Sequence, residues 1–412
     1  MWASWFEIES LSAGRPVLLY GRSEDWVHKA LQHLNVTPEG VVDRDLAYRG
    51  STYRDLPVFP IEDVESPNQY FFIITAGEFD GIVDTLESLG LSAGSDFVCS
   101  PDFKDYSKLL ELRTLASTIL ISSSDYRDTS RARSSKAGGG LYLLDIERAM
   151  LTCVYQGSTR QLTRLPGDLL AAIDYVEKQL LVFDREFSIV KNIDLVHPNT
   201  CGLAFSESRG LLYVANAGRD TISTYDLDRS TLVEELPFGR GLSGRGGHHI
   251  NDLVIHENTL FSSYFSWSGY FKQGVFDGGL AAWDLSALSS GPTEIMSGLW
   301  KPHSPIVIQG DVHVLDSMRG ELRTGRPTPK SRLNAFVRGI DCAQGVLAIG
   351  QSEDMYITER LDQSGSTILA NAGVNVMNYD ENSIGIARFI STPELMNIHD
   401  LLIWEGRDVR VS

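Results

Sequence analysis

The sequence predicts two domains of different class: a small α/β parallel sheet over residues 1–113 and an all-β region over residues 114–412. Three observations carry this reading. At 412 residues the chain exceeds what one compact core usually organises. The first hundred residues alternate short apolar runs with segments of helical period, and from Leu115 onward that period disappears. Beyond it a unit of turn, strand, turn and strand recurs, with 37 glycines along the chain to punctuate it.

The α/β reading rests on the following elements in order. Pro16 leads into the strand VLLYG (17–21), and residues 23–34 carry Trp26, Val27, Ala30, Leu31 and Leu34 at helical spacing. GVVDRD (40–45) and QYFFIITAG (69–77) are further strands, residues 78–91 a second helix, and SDFVCS (95–100) a last strand. Strand and helix alternating at these lengths imply parallel strands with right-handed crossovers. Such sheets bind ligands at the first strand-to-helix turn. Here that turn reads Gly21-Arg22-Ser23-Glu24-Asp25, without the GxGxxG pattern. Gly21 as a tight turn and Asp43, about 22 residues on, as a ribose-binding carboxylate are the two cofactor-binding candidates. A dinucleotide is disfavoured, because Arg22, Ser23 and Glu24 fill the space of a pyrophosphate.

The succession VLLYG, GVVDRD, LPVFPIEDV, YFFIITAGEF and LESLGLSAGSDFV resembles the small Rossmann-like domain of polysaccharide-biosynthesis proteins. The resemblance implies a place in sugar, polysaccharide or natural-product biosynthesis.

The second region reads as short strands throughout: 117–124, 139–147, 169–184, 210–218, 221–227, 279–285, 311–317, 345–353 and 398–405. Segments such as HPNTCGLAFSESRGLLYVANA, HHINDLVIHENTLFSSYFS and KPHSPIVIQGDVHVLDS repeat one pattern at about 35–50 residues, the period of propeller blades. The length accommodates about six blades, so a six-bladed β-propeller is expected. The turns Gly247–Asp252, Gly298–Pro305 through Leu322, Arg338–Asp341 and Met396–Asp400 resemble those of an uncharacterised bacterial β-propeller family. Ile306 stands where that family has an arginine after its HSP turn.

The candidate chemistry lies in the blade-opening turns. His197, His249, His303 and His399 each precede an expected innermost strand by two to about five residues, so they should converge on one mouth of the axis. Four imidazoles could hold a divalent metal, iron, zinc or calcium, with Asn199, Asn251, Asp252, Asp341 and Asp400 as orienting partners or oxygen ligands. His249, His303 and Asp252 are then the catalytic candidates. The same residues could instead tie blade to blade by side chain to backbone hydrogen bonds, or line a metal-free polar pocket. Arg240 and Arg245 in the loop FGRGLSGRGG offer forked donors to a carboxylate or phosphate, and Asn251, Arg338 and Asp341 are further substrate-binding candidates. The excursion SWSGYFKQGVFDGG (266–279) adds Trp267 as a surface for a sugar ring, or as a packing element against another domain or subunit. RGELRTGRPTPKSR (319–332) is a basic, proline-broken loop suited to a positive rim.

A net charge of −18 disfavours nucleic acid and anionic membrane. No apolar run approaches the ~20 residues of a membrane span, and the four cysteines form no CxxC pair. A cytoplasmic protein acting on a small polar metabolite at the channel mouth is expected, with or without catalysis, and a homo-oligomer is compatible with the sequence.

Overall fold

The computed structural model describes residues 3–77, 79–101, 112, 115, 117–128, 130, 134–239, 246–326, 328–333, 335–353, 371–379 and 387–404. The chain divides into two compact units, Met1–Glu111 and Leu112–Ser412.

In the first unit, α1 (Trp5–Ser12) precedes β1 (Val17–Tyr20), α2 (Glu24–His33), β2 (Gly40–Val42), β3 (Thr52–Tyr53), β4 (Leu56–Phe59), β5 (Phe71–Ile74), α3 (Asp80–Ser88) and β6 (Phe97–Cys99). The sheet runs β3-β4-β2-β1-β5-β6, parallel throughout except for the edge pair of β3 with β4. Its strands are apolar on both faces because both faces are covered. Leu18, Tyr20, Phe72, Ile74 and Phe97 pack with Ile82 and Leu86 of α3, while Leu19, Val41, Phe71, Ile73 and Val98 pack with Ile8 of α1 and Val27 and Ala30 of α2. The sequence reading overlooked α1, which opens with a capping box between Ser4 and Glu7, and the antiparallel edge strand.

The second unit is a six-bladed β-propeller of four-stranded antiparallel sheets. Blades 1 to 5 follow in chain order over residues 159–194, 200–237, 250–299, 302–332 and 336–391. Blade 6 combines Asp400–Trp404, as its inner strand, with Thr118–Ser123, Gly140–Asp145 and Met150–Gln156. The far end of the chain therefore closes a sheet begun at residue 118. Six apolar clusters fill the spaces between adjacent blades; the largest of their members include Tyr213, Tyr264 and Trp283 between blades 2 and 3.

The inner strands share one local irregularity. In blades 1 to 5 the pairing register slips at residues 160–161, 201–202, 251–252, 304–305 and 338–339, and His399 with Asp400 occupies the corresponding place in blade 6. Bulges turn side chains and backbone N–H groups out of the ladder. Here side chains at or near the bulges reach the inner strand of the neighbouring blade. Asp252 Oδ2 accepts from Ser304 N at 2.8 Å and Ser304 Oγ from Gly339 N at 2.9 Å. Asp341 Oδ2 accepts from Ile403 N at 2.8 Å, and Asp400 Oδ2 from Leu162 N at 2.9 Å. Gln161 completes the circle: its Oε1 accepts from Leu203 N and Leu253 N at 2.7 and 2.9 Å, and its Nε2 donates to Leu253 O at 2.7 Å. Gly339, at φ +75°, fits this belt because a Cβ would lie 2.8 Å from Asp400 Cα.

Gln161 reaches from blade 1 to blade 3 and so crosses the axial space. A Gln161→Leu substitution keeps the volume but strands two buried N–H groups and one carbonyl, each costing about 1–3 kcal/mol. We expect a loss of at least about 3 kcal/mol in chemical denaturation of the full chain; parental stability in this variant would show that the belt does not hold the ring.

Candidate functional site

On the side of the belt where the inner strands begin, the bulge residues and the turns before them form an axial mouth. Asp220, at the end of blade 2, sets one of those turns by accepting from Gly247 N, His248 N and His249 N at 2.6, 3.1 and 2.8 Å. His249, held at φ +51°, stacks on Phe265 with ring centroids 4.5 Å apart and also meets Phe271 at 4.5 Å. Phe265 in turn lies 5.1 Å from the ring of His303, so the two imidazoles share one aromatic neighbour and one face of the propeller. His303 Nδ1 lies 2.8 Å from the carbonyl oxygen of Lys301 and 2.7 Å from Ser317 Oγ. A carbonyl can only accept, so Nδ1 carries the proton and Nε2 is left with a lone pair.

Around these rings stand three cationic side chains. Arg338 is 6% exposed and Lys301 5%, although both carry charge. Arg338 donates to Asn397 Oδ1 at 3.4 Å and to His399 Nε2 at 2.7 Å. Arg160 lies 3.7 Å over the Tyr175 ring, donates to Thr200 O at 3.2 Å, and touches the sulfur of the buried Cys201. Lys301 Nζ sits 4.8 Å over the ring of Phe276. Burial, reinforced by Arg160, Arg338, Lys301 and Lys272, pulls His249 down to about 3. Burial and Arg338 likewise hold His303 well below its usual range. Both imidazoles are neutral at pH 7. Asp252 shows the opposite behaviour: burial pushes its carboxyl up to about 6, although Arg338, Arg160 and the Ser304 N–H favour the charged form. Asp252 Oδ1 and Asn251 Oδ1 are buried without a hydrogen-bond partner among the described residues.

The four-histidine metal site expected from the turns is not assembled. His197 Nε2 pairs at 2.9 Å with Glu235, on the outer strand of blade 2, away from the axis. His399 meets Arg338 through Nε2, and a guanidinium offers a donor where a ligand needs a lone pair. Among the described residues His249, His303 and His399 are at the mouth, the last engaged by Arg338, and the surrounding cations repel a metal ion. Among the described residues no three His, Cys, Asp or Glu side chains form a metal-holding group. Asp341 and Asp400 serve as blade ties, as does Asp252 through Oδ2. Asn199 accepts from Tyr175 OH at 2.7 Å on the surface. Trp267 does not line the axis: it lies 5.8 and 5.2 Å from Phe238 and Tyr264, members of the cluster between blades 2 and 3. The excursion does reach the mouth, through Phe271 and Phe276. Arg240 and Arg245 lie outside the described residues.

In the first unit, the two cofactor-binding candidates serve the fold. Gly21, at φ +107°, packs so tightly that a Cβ would lie 2.3 Å from that of Ala76. Asp43 accepts from Arg22 Nε at 2.6 Å and from Asp45 N at 2.8 Å, and the Arg22 guanidinium lies 3.3 Å over Tyr48. The carboxylate expected to meet a ribose is engaged by the chain itself.

Sequence reasoning missed Arg160, Cys201 and Lys301. Arg160 and Cys201 could have been found by aligning the blade starts, since they occupy the bulge position held by Asn251 and Arg338 elsewhere. Lys301 stands within a turn singled out for its histidine.

The depressed imidazoles make a pH test. An unfolded histidine takes up its proton near pH 6.5, whereas these two stay neutral well below it, so the unfolded chain binds more protons as pH falls. Their contribution to stability is therefore full above pH 6.5 and is lost towards pH 4. Urea denaturation of His303→Gln should show a shallower fall over that window than the parent, by up to about 1.4 kcal/mol per pH unit; identical slopes would contradict a neutral His303.

No known protein family's sequence profile matches the chain, and no curated protein sequence matches it. Among solved structures, a nidogen/laminin complex is 10% identical, with 69% of this chain and 97% of that one covered and a TM-score of 0.49. The calcium-binding protein regucalcin from Agrobacterium tumefaciens strain C58 is 16% identical over 55% and 72% of the two chains, with a TM-score of 0.39. Hydrazine synthase of Kuenenia stuttgartiensis is 14% identical over 58% and 68%, with a TM-score of 0.36. These likenesses are too remote to carry a function to this chain.

Proposed function

We propose that the axial mouth binds a small polar metabolite bearing a carboxylate or phosphate, with a sugar acid or sugar phosphate as the substrate class. The observation that carries this is the gathering of Arg160, Arg338 and Lys301 around one axis, two of them almost wholly buried. Gathered, low-dielectric cations favour an anion there, and arginine presents it with paired donors. The buried acceptors Asn251 Oδ1 and Asp252 Oδ1 complement that preference, because they suit the hydroxyl donors of a sugar.

The same groups supply an acid–base pair. His303 Nε2 offers a lone pair at neutral pH, and Asp252, raised to about 6, exchanges its proton near neutrality. We read the site as equipped for proton transfer on the bound ligand, in a pathway of sugar, polysaccharide or natural-product chemistry. A divalent cofactor fits these residues poorly, since the cations that suit an anion oppose it. The neutral surroundings of a scaffold would not require buried charge at the axis, so a purely structural propeller is the weaker alternative.

Calorimetric titration with glucuronate, glucose 6-phosphate and glucose tests the reading. The two anions should bind and glucose should bind more weakly; Arg338→Met and Arg160→Met should each weaken the anions by about 10-fold to 100-fold, the worth of a hydrogen bond to a charged group. Equal affinity for glucose, or unaltered anion binding in both variants, would overturn it.

A further inference from the structure

The basic loop of blade 4 holds a second arrangement, away from the axis, that the axial site leaves unexplained. A cavity of about 220 Å³ opens there between blade 4 and Tyr379, the residue that follows strand Gly373–Asn378 of blade 5. Its walls include His313, Thr324, Arg326, Thr328, Lys330 and Tyr379.

Three of these side chains form an ordered relay. His313 Nδ1 lies 2.9 Å from the carbonyl oxygen of Asp311 and therefore carries the proton, which leaves Nε2 as an acceptor. Tyr379 OH stands 3.1 Å from that Nε2 and donates to it. Lys330 Nζ donates to the Tyr379 oxygen at 2.9 Å and lies 4.1 Å from its ring centroid. The hydrogen-bond direction is thus fixed from the ammonium through the phenol to an imidazole that is only 1% exposed. This chain of bonds anchors the Lys330 head at the cavity wall instead of leaving it to sweep through solvent.

Arg326 faces the same cavity from an exposed position, and its guanidinium makes no hydrogen bond or ion pair among the described residues. The hydroxyls of Thr324 and Thr328 add neutral donors at the wall. Among the described residues of the lining Asp311 is the acidic one, and its backbone carbonyl is turned to His313. We propose that this cavity is a second ligand site, distinct from the axial mouth, that takes a small oxyanion, the phosphoryl or carboxylate group of a metabolite, between Arg326 and the anchored Lys330. The chemistry is that of a forked donor opposite a point charge, with hydroxyls to complete the oxygen shell. A volume of about 220 Å³ limits the occupant to the anionic group and a few further atoms.

The test uses the full chain and two probes, inorganic phosphate and acetate, in calorimetric titrations on an Arg338→Met, Arg160→Met background that weakens the axial contribution. Saturable binding of either probe is expected, and the tighter of the two identifies the oxyanion. Arg326→Gln and Lys330→Met should each reduce its affinity at least tenfold. Tyr379→Phe, which releases Lys330 without removing a charge, should weaken binding by a smaller factor and shift the ring resonances of His313 in nitrogen-labelled protein. Absence of saturable binding for both probes, or affinities unchanged in Arg326→Gln and Lys330→Met, would overturn the proposal. Loss of binding in a variant counts only if its circular dichroism and melting temperature match those of the parent; if Lys330→Met fails to fold, the exposed Arg326→Gln decides alone.

Discussion

Ring closure is the constraint on which the rest of the propeller depends. Six sheets stand around one axis, and their inner strands crowd together where the ring is narrowest. Backbone groups turned out of the ladder at that point have little access to water, yet each requires a partner. The belt of Asp252, Ser304, Asp341, Asp400 and Gln161 answers this requirement by reaching from one blade to the backbone of another. Apolar clusters between blades provide most of the burial, but they are non-directional. The belt is what specifies the blade-to-blade register at the axis.

The proposed ligand mouth is a by-product of the same irregularity. A bulge that frees an N–H for the belt also re-aims the neighbouring side chain, which is why Arg160, Cys201, Asn251 and Arg338 appear together at one level of blades 1, 2, 3 and 5. Asp252 belongs to both systems. One of its oxygens holds Ser304 of the next blade, while the other remains buried and unbonded. Stability and the proposed ligand chemistry therefore meet at this residue, whereas Arg160 contacts, among the described residues, a carbonyl, a thiol and an aromatic face.

Much of the fold was legible in the sequence because repetition and alternation are local signals. The repeated turn-strand-turn-strand unit announced blades, and the sheet of the first unit followed from apolar runs alternating with helical segments. The edge strand Thr52–Tyr53 was too short to leave a period, and α1 was passed over although Ser4 and Glu7 carry its capping signal. The site was legible only in part. His249 and His303 were found because histidines in repeated turns are conspicuous, but their equivalence to His197 was an error of register: His197 lies three residues before its strand begins and turns outwards to Glu235. Of the cations at the mouth Arg338 was anticipated, but Arg160 and Lys301 were missed because they come from different blades and converge only once the ring is closed. No window along the chain contains both.

The way blade 6 is assembled has a consequence for how the protein is made. Its inner strand, Asp400–Trp404, pairs with a strand at Thr118–Ser123 that left the ribosome nearly three hundred residues earlier. Until residue 404 is delivered, the edge of Thr118–Ser123 has no partner, and the Leu162 N–H awaits its acceptor on Asp400. Nascent blades must therefore wait with an open seam, a strand edge able to pair with other chains. A chain that stops before Asp400 would keep that seam permanently, with the inner edge of Thr118–Ser123 left open to pairing with other chains.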